Sequence, residues 1–262
     1  YGGDLLGNVW RFDINGDTGA AGYDAQLLAT LKDAAGNAQP VTTRPELGEI
    51  NGIPMVYVGT GSLLGVTDLS NTKQQSFYAI KDQMGSTSYG IPRSDPLFVR
   101  QTMTASTCPA GPPTESCTAG ESVRLMSATP NTVSLAVKHG WYIDLPGEGE
   151  RINTNPQMLQ GKLVFVSNMP STTACTQGGV SFLYILDARM GSVVTNGNSP
   201  VAAWSLGKTL ANEPELYLLG NGQAKTIIQL ADNQVPPKPP EIPLDRVATT
   251  TRRVSWRELP TE

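Results

Sequence analysis

Four runs of aromatic and β-branched residues each end on an aspartate, and this recurrence limits the fold more than anything else in the chain. They are Val9–Asp13, Phe77–Asp82, Trp141–Asp144 and Phe182–Asp187. Two companion runs, Met55–Thr60 and Leu163–Asn168, end instead on a small polar residue and precede an aspartate-ending partner. Runs of this length and composition, bounded by Gly, Asn and Asp, read as strands joined by turns. Residues 1–13 compress such a pair into one hairpin, with its turn at Leu5-Leu6-Gly7-Asn8. Strands are expected over 9–13, 55–59, 76–82, 162–167, 182–187 and 254–259.

The four aspartates are separated by 69, 62 and 43 residues. Only the last interval approaches the roughly 40–50 residues of a propeller blade. The longer intervals hold Gly, Pro, Ser and Thr-rich loops, notably 103–120. The expected architecture is therefore all-β: a modified β-propeller with long loop insertions, its sheets three or four strands wide. One domain spans 1–262 and forms part of a ring. Each of the four tryptophans, Trp10, Trp141, Trp204 and Trp256, sits in its own strand-like run, where a large ring would fill the space between neighbouring sheets. A single short helix is expected over 24–32, with Leu27, Leu28 and Leu31 on one face and Asp24 as its cap. Residues 232–246 carry five prolines and read as an extended connector. It leads to a strand over 253–259 that closes the ring by joining a sheet begun elsewhere.

Composition narrows the function classes. Charged residues are 16% of the chain, too few for a charged disordered segment or a coiled coil. A net charge of −4 gives no global basic field for nucleic acid. No apolar run is long enough for a membrane-spanning helix.

The three cysteines are Cys108, Cys117 and Cys175. The first two lie in TCPAGPPTESCTAG, a loop with little to pack on. They read either as a disulfide, contributing about 2–3 kcal/mol through the unfolded chain, or as two reduced surface thiols. Zinc lacks a CxxC pair and a nearby histidine. Cys175 reads as free or as a partner of a cysteine in another chain. Together they favour an oxidising compartment. The start inside a strand-like run leads us to expect the C-terminal part of a longer protein.

Few residues suggest chemistry. Asp13, Asn15 and Asp17 have the alternating oxygen spacing of a calcium loop, with Asp24 at the twelfth position. Thr18 replaces the sixth-position glycine, however, and a plain hairpin turn uses the same residue types. His139, the only histidine, has no flanking nucleophile motif and reads as structural. Glu148, Glu150 and Arg151 read as a charged loop anchored by Arg151 rather than as a glycosidase pair. Arg252, Arg253 and Arg257 make the chain's end locally basic, as edge-strand charges do. GTGSLLG, 59–65, lacks the lysine of a phosphate loop and reads as a turn. No catalytic residue is expected.

Five segments carry a resemblance, in order along almost the whole chain: YGGDLLGNVWRFDI, QQSFYAIKD, GWYIDLPGEGERI, LVFVSNMP followed by FLYILDARMGS, and RRVSWREL. In this order they resemble the C-terminal domain of the PilY/PilC family of type IV pilus tip adhesins. FLYILDARMG alone also resembles the strand of quinoprotein-like propellers. The family implies a modified propeller at the pilus tip or outer membrane surface of a Gram-negative bacterium, reached through the periplasm. It implies roles in pilus assembly, attachment and calcium-controlled retraction. Its partners would be pilins or minor pilins, the N-terminal part of the same protein, and a host surface. The family's calcium loop precedes the segment resembling YGGDLLGN, so calcium is expected upstream of Tyr1. The alternative is a quinoprotein-type dehydrogenase propeller. That enzyme needs an adjacent Cys–Cys pair to hold its quinone; the chain has none, and no quinone is expected.

Overall fold

The computed structural model describes residues 1–14, 24–108, 117–127, 129–171, 178–194, 200–219, 224–232 and the backbone of 251–253. The described residues build four β-sheets and two short 3-10 turns, Val66–Ser70 and Pro92–Ser94. Sheet 1 holds β1 (Gly2–Gly3), β2 (Asn8–Phe12) and β3 (Ala25–Thr30), side by side in that order. Sheet 2 holds β4 (Glu46–Ile50), β5 (Ile53–Gly59), β6 (Ser76–Lys81), β7 (Phe98–Gln101), β10 (Gly140–Asp144) and β17 (Thr251–Arg253) in the order β17-β4-β5-β6-β10-β7. Sheet 3 holds β8 (Met103–Thr107), β9 (Ser122–Met126), β11 (Gln157–Leu159), β12 (Lys162–Pro170), β13 (Gly179–Asp187) and β14 (Val201–Ser205) in the order β11-β12-β13-β14-β9-β8. Sheet 4 is the pair β15 (Glu215–Leu218) and β16 (Ala224–Ile227). All pairings are antiparallel except that of β10 with β7.

The sheets stack face to face, blade upon blade. Val9, Leu28 and Leu31 of the sheet 1 layer meet Val56, Tyr78 and Ile80 on one face of sheet 2. The other face of sheet 2 presents Tyr57, Phe77 and Trp141 to Phe165, Phe182 and Tyr184 of sheet 3. Behind these, Val164, Val166 and Leu183 meet Ala224 and Ile228 of the sheet 4 layer. Central strands are apolar on both faces, so β6 and β12 read as continuous runs rather than alternations.

The all-β, propeller-like reading is borne out, with three corrections. The two central sheets are six strands wide, not three or four, because the long insertion between Asp82 and Trp141 supplies strands of its own, β7 to sheet 2 and β8 and β9 to sheet 3, and the chain's end adds β17 to sheet 2. The helix expected over 24–32 is a strand, β3. Its ladder runs along β2 with Ala29 opposite Val9 and Leu27 opposite Trp10. Nine residues make a marginal helix in water, whereas β2 offers ready-made backbone partners. The tryptophans do not share one role. Trp141 is fully buried between sheets 2 and 3, but Trp10 and Trp204 are only partly buried. Trp256 lies outside the described residues, as do 233–246 of the proline-rich segment and 254–259 of the expected closing strand. The described end of the chain, β17, pairs with β4 through Thr251↔Ile50 and Arg253↔Gly48.

Several aspartates that follow strands make turns. Asp4 Oδ1 accepts from the amides of Leu6 and Asn8, both at 2.9 Å, while Oδ2 accepts from the Asn8 side chain. Asp33 repeats this with Ala35 and Asn37 in DAAGN, the same D-x-x-G-N pattern as DLLGN. Asp187 caps Arg189 and Met190 in the same manner. Each carboxylate replaces the backbone partner that the chain loses on leaving the sheet.

Rings from both central sheets form one stack. Trp141 and Phe77 are 6.0 Å apart, Phe77 and Phe165 4.3 Å, and Phe165 and Tyr184 4.7 Å. The carbonyl of Ala188 accepts from both Trp141 Nε1 and the Tyr57 hydroxyl, at 3.2 Å each. Gly191, at φ 64°, lets this turn pass against the indole, since a Cβ there would stand 2.5 Å from Trp141. Phe165 sits in the middle of the stack with no exposure. Phe165→Ala is expected to cost about 3–5 kcal/mol, measured by urea unfolding; a loss below about 1 kcal/mol would show that the stack does not hold the sheets together.

Candidate interaction cleft and its buried charges

The loops at one end of sheets 2 and 3 enclose a cleft of about 480 Å³. Its apolar wall is Leu69, Met169, Pro170 and Val180, and Glu148, Arg151 and Lys208 supply the charges. Leu64 and Val66, on the loop that ends in this wall, are 71% and 75% exposed.

Arg151 is only 3% exposed. Its guanidinium donates to four carbonyls: Gly149 from Nε, Ser62 and Asp68 from Nη1, and Asn71 from Nη2. One side chain thereby fixes the 62–71 loop to the LPGEGERI segment. Desolvation lowers the Arg151 pKa, and the nearby Asp68 charge offsets this only in part. Asp68 in turn accepts from the Ser62 hydroxyl and the Leu64 amide, which hold its carboxyl below the usual range.

Glu150, 1% exposed, faces the other way, into the space between the sheets. Its Oε1 accepts from the hydroxyls of Tyr184 and Ser167, at 2.5 and 2.6 Å. Its Oε2 accepts from Arg124 at 2.8 Å and the Gly147 amide at 2.9 Å. Arg124 lies over the Phe182 ring, 3.7 Å from its centroid. Burial is the main reason the Tyr184 hydroxyl is held far above its ordinary pKa, reinforced by the Glu150 charge. Four donors on one sealed carboxylate leave no room for proton transfer to a substrate.

Two further carboxylates are paired with arginines, one between layers and one within sheet 2. Arg11 spans sheets 1 and 2, meeting both oxygens of Asp82 at 2.8 and 3.0 Å, and the Tyr1 hydroxyl donates to the same carboxylate. Asp144 accepts from Arg93, Arg100 and Ser76. Burial alone would raise the Asp144 carboxyl; the hydrogen bonds from Arg93 and Ser76 and the two arginine charges outweigh it and hold the pKa below the ordinary value.

The residues singled out by sequence fall as follows. Glu150 and Arg151 of the charged loop are both buried and point to opposite sides of it, while Glu148 of the three is exposed. Arg151 does anchor the loop, through backbone bonds. Asp13 and Asp24 face each other across the mouth of the β2–β3 loop, the Asp13 amide donating to the Asp24 carbonyl at 2.9 Å. Asn15 and Asp17 lie outside the described residues. His139 Nδ1 is 2.7 Å from Asp95 Oδ2, beside the Tyr89 and Phe98 rings. GTGSLLG is the turn clamped by Arg151. Cys108 and Cys117 are bonded, with Cα atoms 5.9 Å apart. Cys175 and Arg257 lie outside the described residues, and Arg252 and Arg253 belong to β17. Sequence reasoning missed Arg11, Arg93 and Arg124, each of which sits within or beside a strand where burial would demand a carboxylate.

No family model matches the chain. It is 26% identical over 254 residues to a type IV pilus biogenesis factor PilY1 homolog of Xylella fastidiosa, and 25% identical over 223 residues to type IV pilus biogenesis factor PilY1 of Pseudomonas aeruginosa. These matches cover 82% and 73% of this chain but only 16% and 19% of those proteins. The crystal structure of the Pseudomonas aeruginosa PilY1 C-terminal domain superposes with a TM-score of 0.62 at 19% identity, covering 86% of this chain and 54% of that one. The matches give the quinoprotein reading no support.

Two outcomes follow from the buried charges. Glu150→Ala strands the Arg124 guanidinium and should cost about 3–5 kcal/mol, whereas replacing both partners by leucine should cost much less; equal losses in urea unfolding would sink this account. The low Asp144 pKa stabilises the fold at neutral pH, where the carboxyl is ionised in both states. That contribution is lost as pH falls below the unfolded value of about 4 and through the folded one. Stability of Asp144→Asn should therefore change less between pH 5 and 2.5 than that of the parent, as read by thermal melts across that range.

Proposed function

We propose that this chain, similar in sequence and fold to the C-terminal domain of the type IV pilus biogenesis factor PilY1, is the propeller-like module of such a factor. It serves pilus biogenesis without catalysing a reaction. The observation that carries this reading is the agreement of two separate comparisons, one of sequence across four-fifths of the chain and one of backbone across 86% of it. The sealed Glu150 and the carbonyl-bound Arg151 support the non-catalytic part, since the most buried charges near the cleft are engaged in holding loops and sheets together.

In this reading the module stands at the pilus tip or outer cell surface. It contacts pilins or minor pilins and the N-terminal part of its own protein, and it supports attachment and control of retraction. Calcium enters through the loop expected ahead of Tyr1. The cleft, with its apolar wall and two exposed aliphatic side chains on a clamped loop, is the surface we assign to a protein partner. Hot spots of this kind are pre-ordered and apolar with a polar rim.

The test is an in-frame removal of these 262 residues in the source bacterium, with immunoblotting to verify export of the remainder. Surface pili and twitching motility should be lost. Normal piliation by electron microscopy would overturn the proposal. Leu64→Asp with Val66→Asp should reduce piliation at least fivefold while leaving the melting temperature within a few degrees; unchanged piliation would remove the cleft from the reading and leave the rest standing.

A further inference from the structure

The two central sheets have four lateral edges, and three of them are managed. β7 is capped by Asn131, whose side-chain amide donates to the Arg100 carbonyl at 2.8 Å. β11 is three residues long, and its Met158 amide donates to the Glu46 carboxylate. β17 is also three residues long, and two of them are arginines. Short strands, charges and covering groups are the usual protections against pairing with another chain.

Among the described residues, β8 shows none of these. Its sequence, Met-Thr-Ala-Ser-Thr, contains no charge and no proline, and the described residues pair it on one side only, with β9. The Cys108 amide donates towards β9, to the Glu121 carbonyl at 2.7 Å. By strand alternation Ser106 and Thr104 also face β9, so Met103, Ala105 and Thr107 direct their N–H and C=O groups outward. Thr104, Ala105 and Thr107 are exposed. The Cys108–Cys117 bond closes the β8–β9 hairpin at its end and keeps the edge formed.

We propose that this edge pairs with the same edge of a second copy of the chain, antiparallel, about a twofold axis at Ala105. The strand is self-complementary in that register. Ala105 meets Ala105, Met103 meets Thr107, and Thr104 meets Ser106, with no like charges opposed. At the flanks, Arg100, bonded to Asp144 of its own chain, lies at one end of the edge and Glu121, which accepts from the Thr118 amide, at the other, so antiparallel pairing sets no like charges together there. A ladder of five residues is far smaller than the roughly 1,200–2,000 Å² of a stable interface, so association is weak and concentration-dependent. This inference does not rest on the pilus reading.

The test uses the chain carrying Cys175→Ser. In that background Ala105→Cys should form a disulfide-linked dimer on non-reducing gels, in a yield that rises with concentration. Thr107→Cys should not link to itself, because two such residues would stand roughly 14 Å apart along the ladder. A mixture of Met103→Cys and Thr107→Cys chains should link. Ala105→Pro removes an outward N–H without touching the β9 ladder and should abolish the dimer seen by sedimentation equilibrium. Ala105→Lys carries the same expectation if the proline variant melts early. An unlinked Ala105→Cys chain, equal linking by Thr107→Cys, or linkage of Ala105→Cys only to a different protein in cell extracts would each overturn the proposal.

Discussion

The ring stack from Trp141 through Phe77 and Phe165 to Tyr184 is what the two halves of this chain share. Two of its rings belong to sheet 2 and two to sheet 3, each from a different strand. Its far end is polar: the Tyr184 hydroxyl reaches Glu150, and Glu150 reaches Arg124 above Phe182. The apolar and the charged parts of the interface are therefore one structure. Displacing a ring would move a hydroxyl on which a buried carboxylate depends, and an unpaired charge in that setting costs more than a lost ring contact.

The same logic recurs at smaller scale between sheets 1 and 2. Arg11 carries a charge into the interface, and Asp82, at the end of an aromatic run, receives it. Asp82 also caps its own turn at Met84. An aspartate at the end of a strand thus does two jobs, turning the chain and neutralising an arginine from the neighbouring layer. Asp144 instead binds two arginines of its own layer, Arg93 and Arg100. Asp4 and Asp33 take only the first.

Much of this was legible in the sequence, for a reason. A buried strand of a stacked sheet is apolar on both faces, so MVYVG, SFYAI, LVFVS and FLYIL announce themselves without partners. The Asp and Gly-Asn punctuation between them is equally local. What sequence could not supply is pairing across distance. Arg124 and Glu150 are 26 residues apart, and Arg11 and Asp82 are 71 apart. Nothing in LPGEGERI distinguishes a carboxylate that faces water from one sealed beneath a tyrosine. β3 reads as a helix for a related reason: its leucines fit a helical spacing, and only the presence of β2 beside them decides for a strand. β8 and β9 carry little apolar signal of their own, and they became strands because β14 offers a ladder to extend.

β7 and β8 are separated by Thr102 alone, yet β7 is the last strand of sheet 2 and β8 the last of sheet 3. One extended segment is thus hemmed into both layers. Under tension this arrangement behaves as a lap joint. A load that draws the two layers apart cannot open them like pages, because the thread through both margins must first be stripped from β10 on one side and from β9 on the other. Hydrogen-bonded ladders loaded lengthwise share the force among many bonds at once, whereas a ladder opened from its end breaks them singly. The strand that changes layers therefore ties the margins of the two central sheets together, so that they part only as β7 leaves β10 or β8 leaves β9.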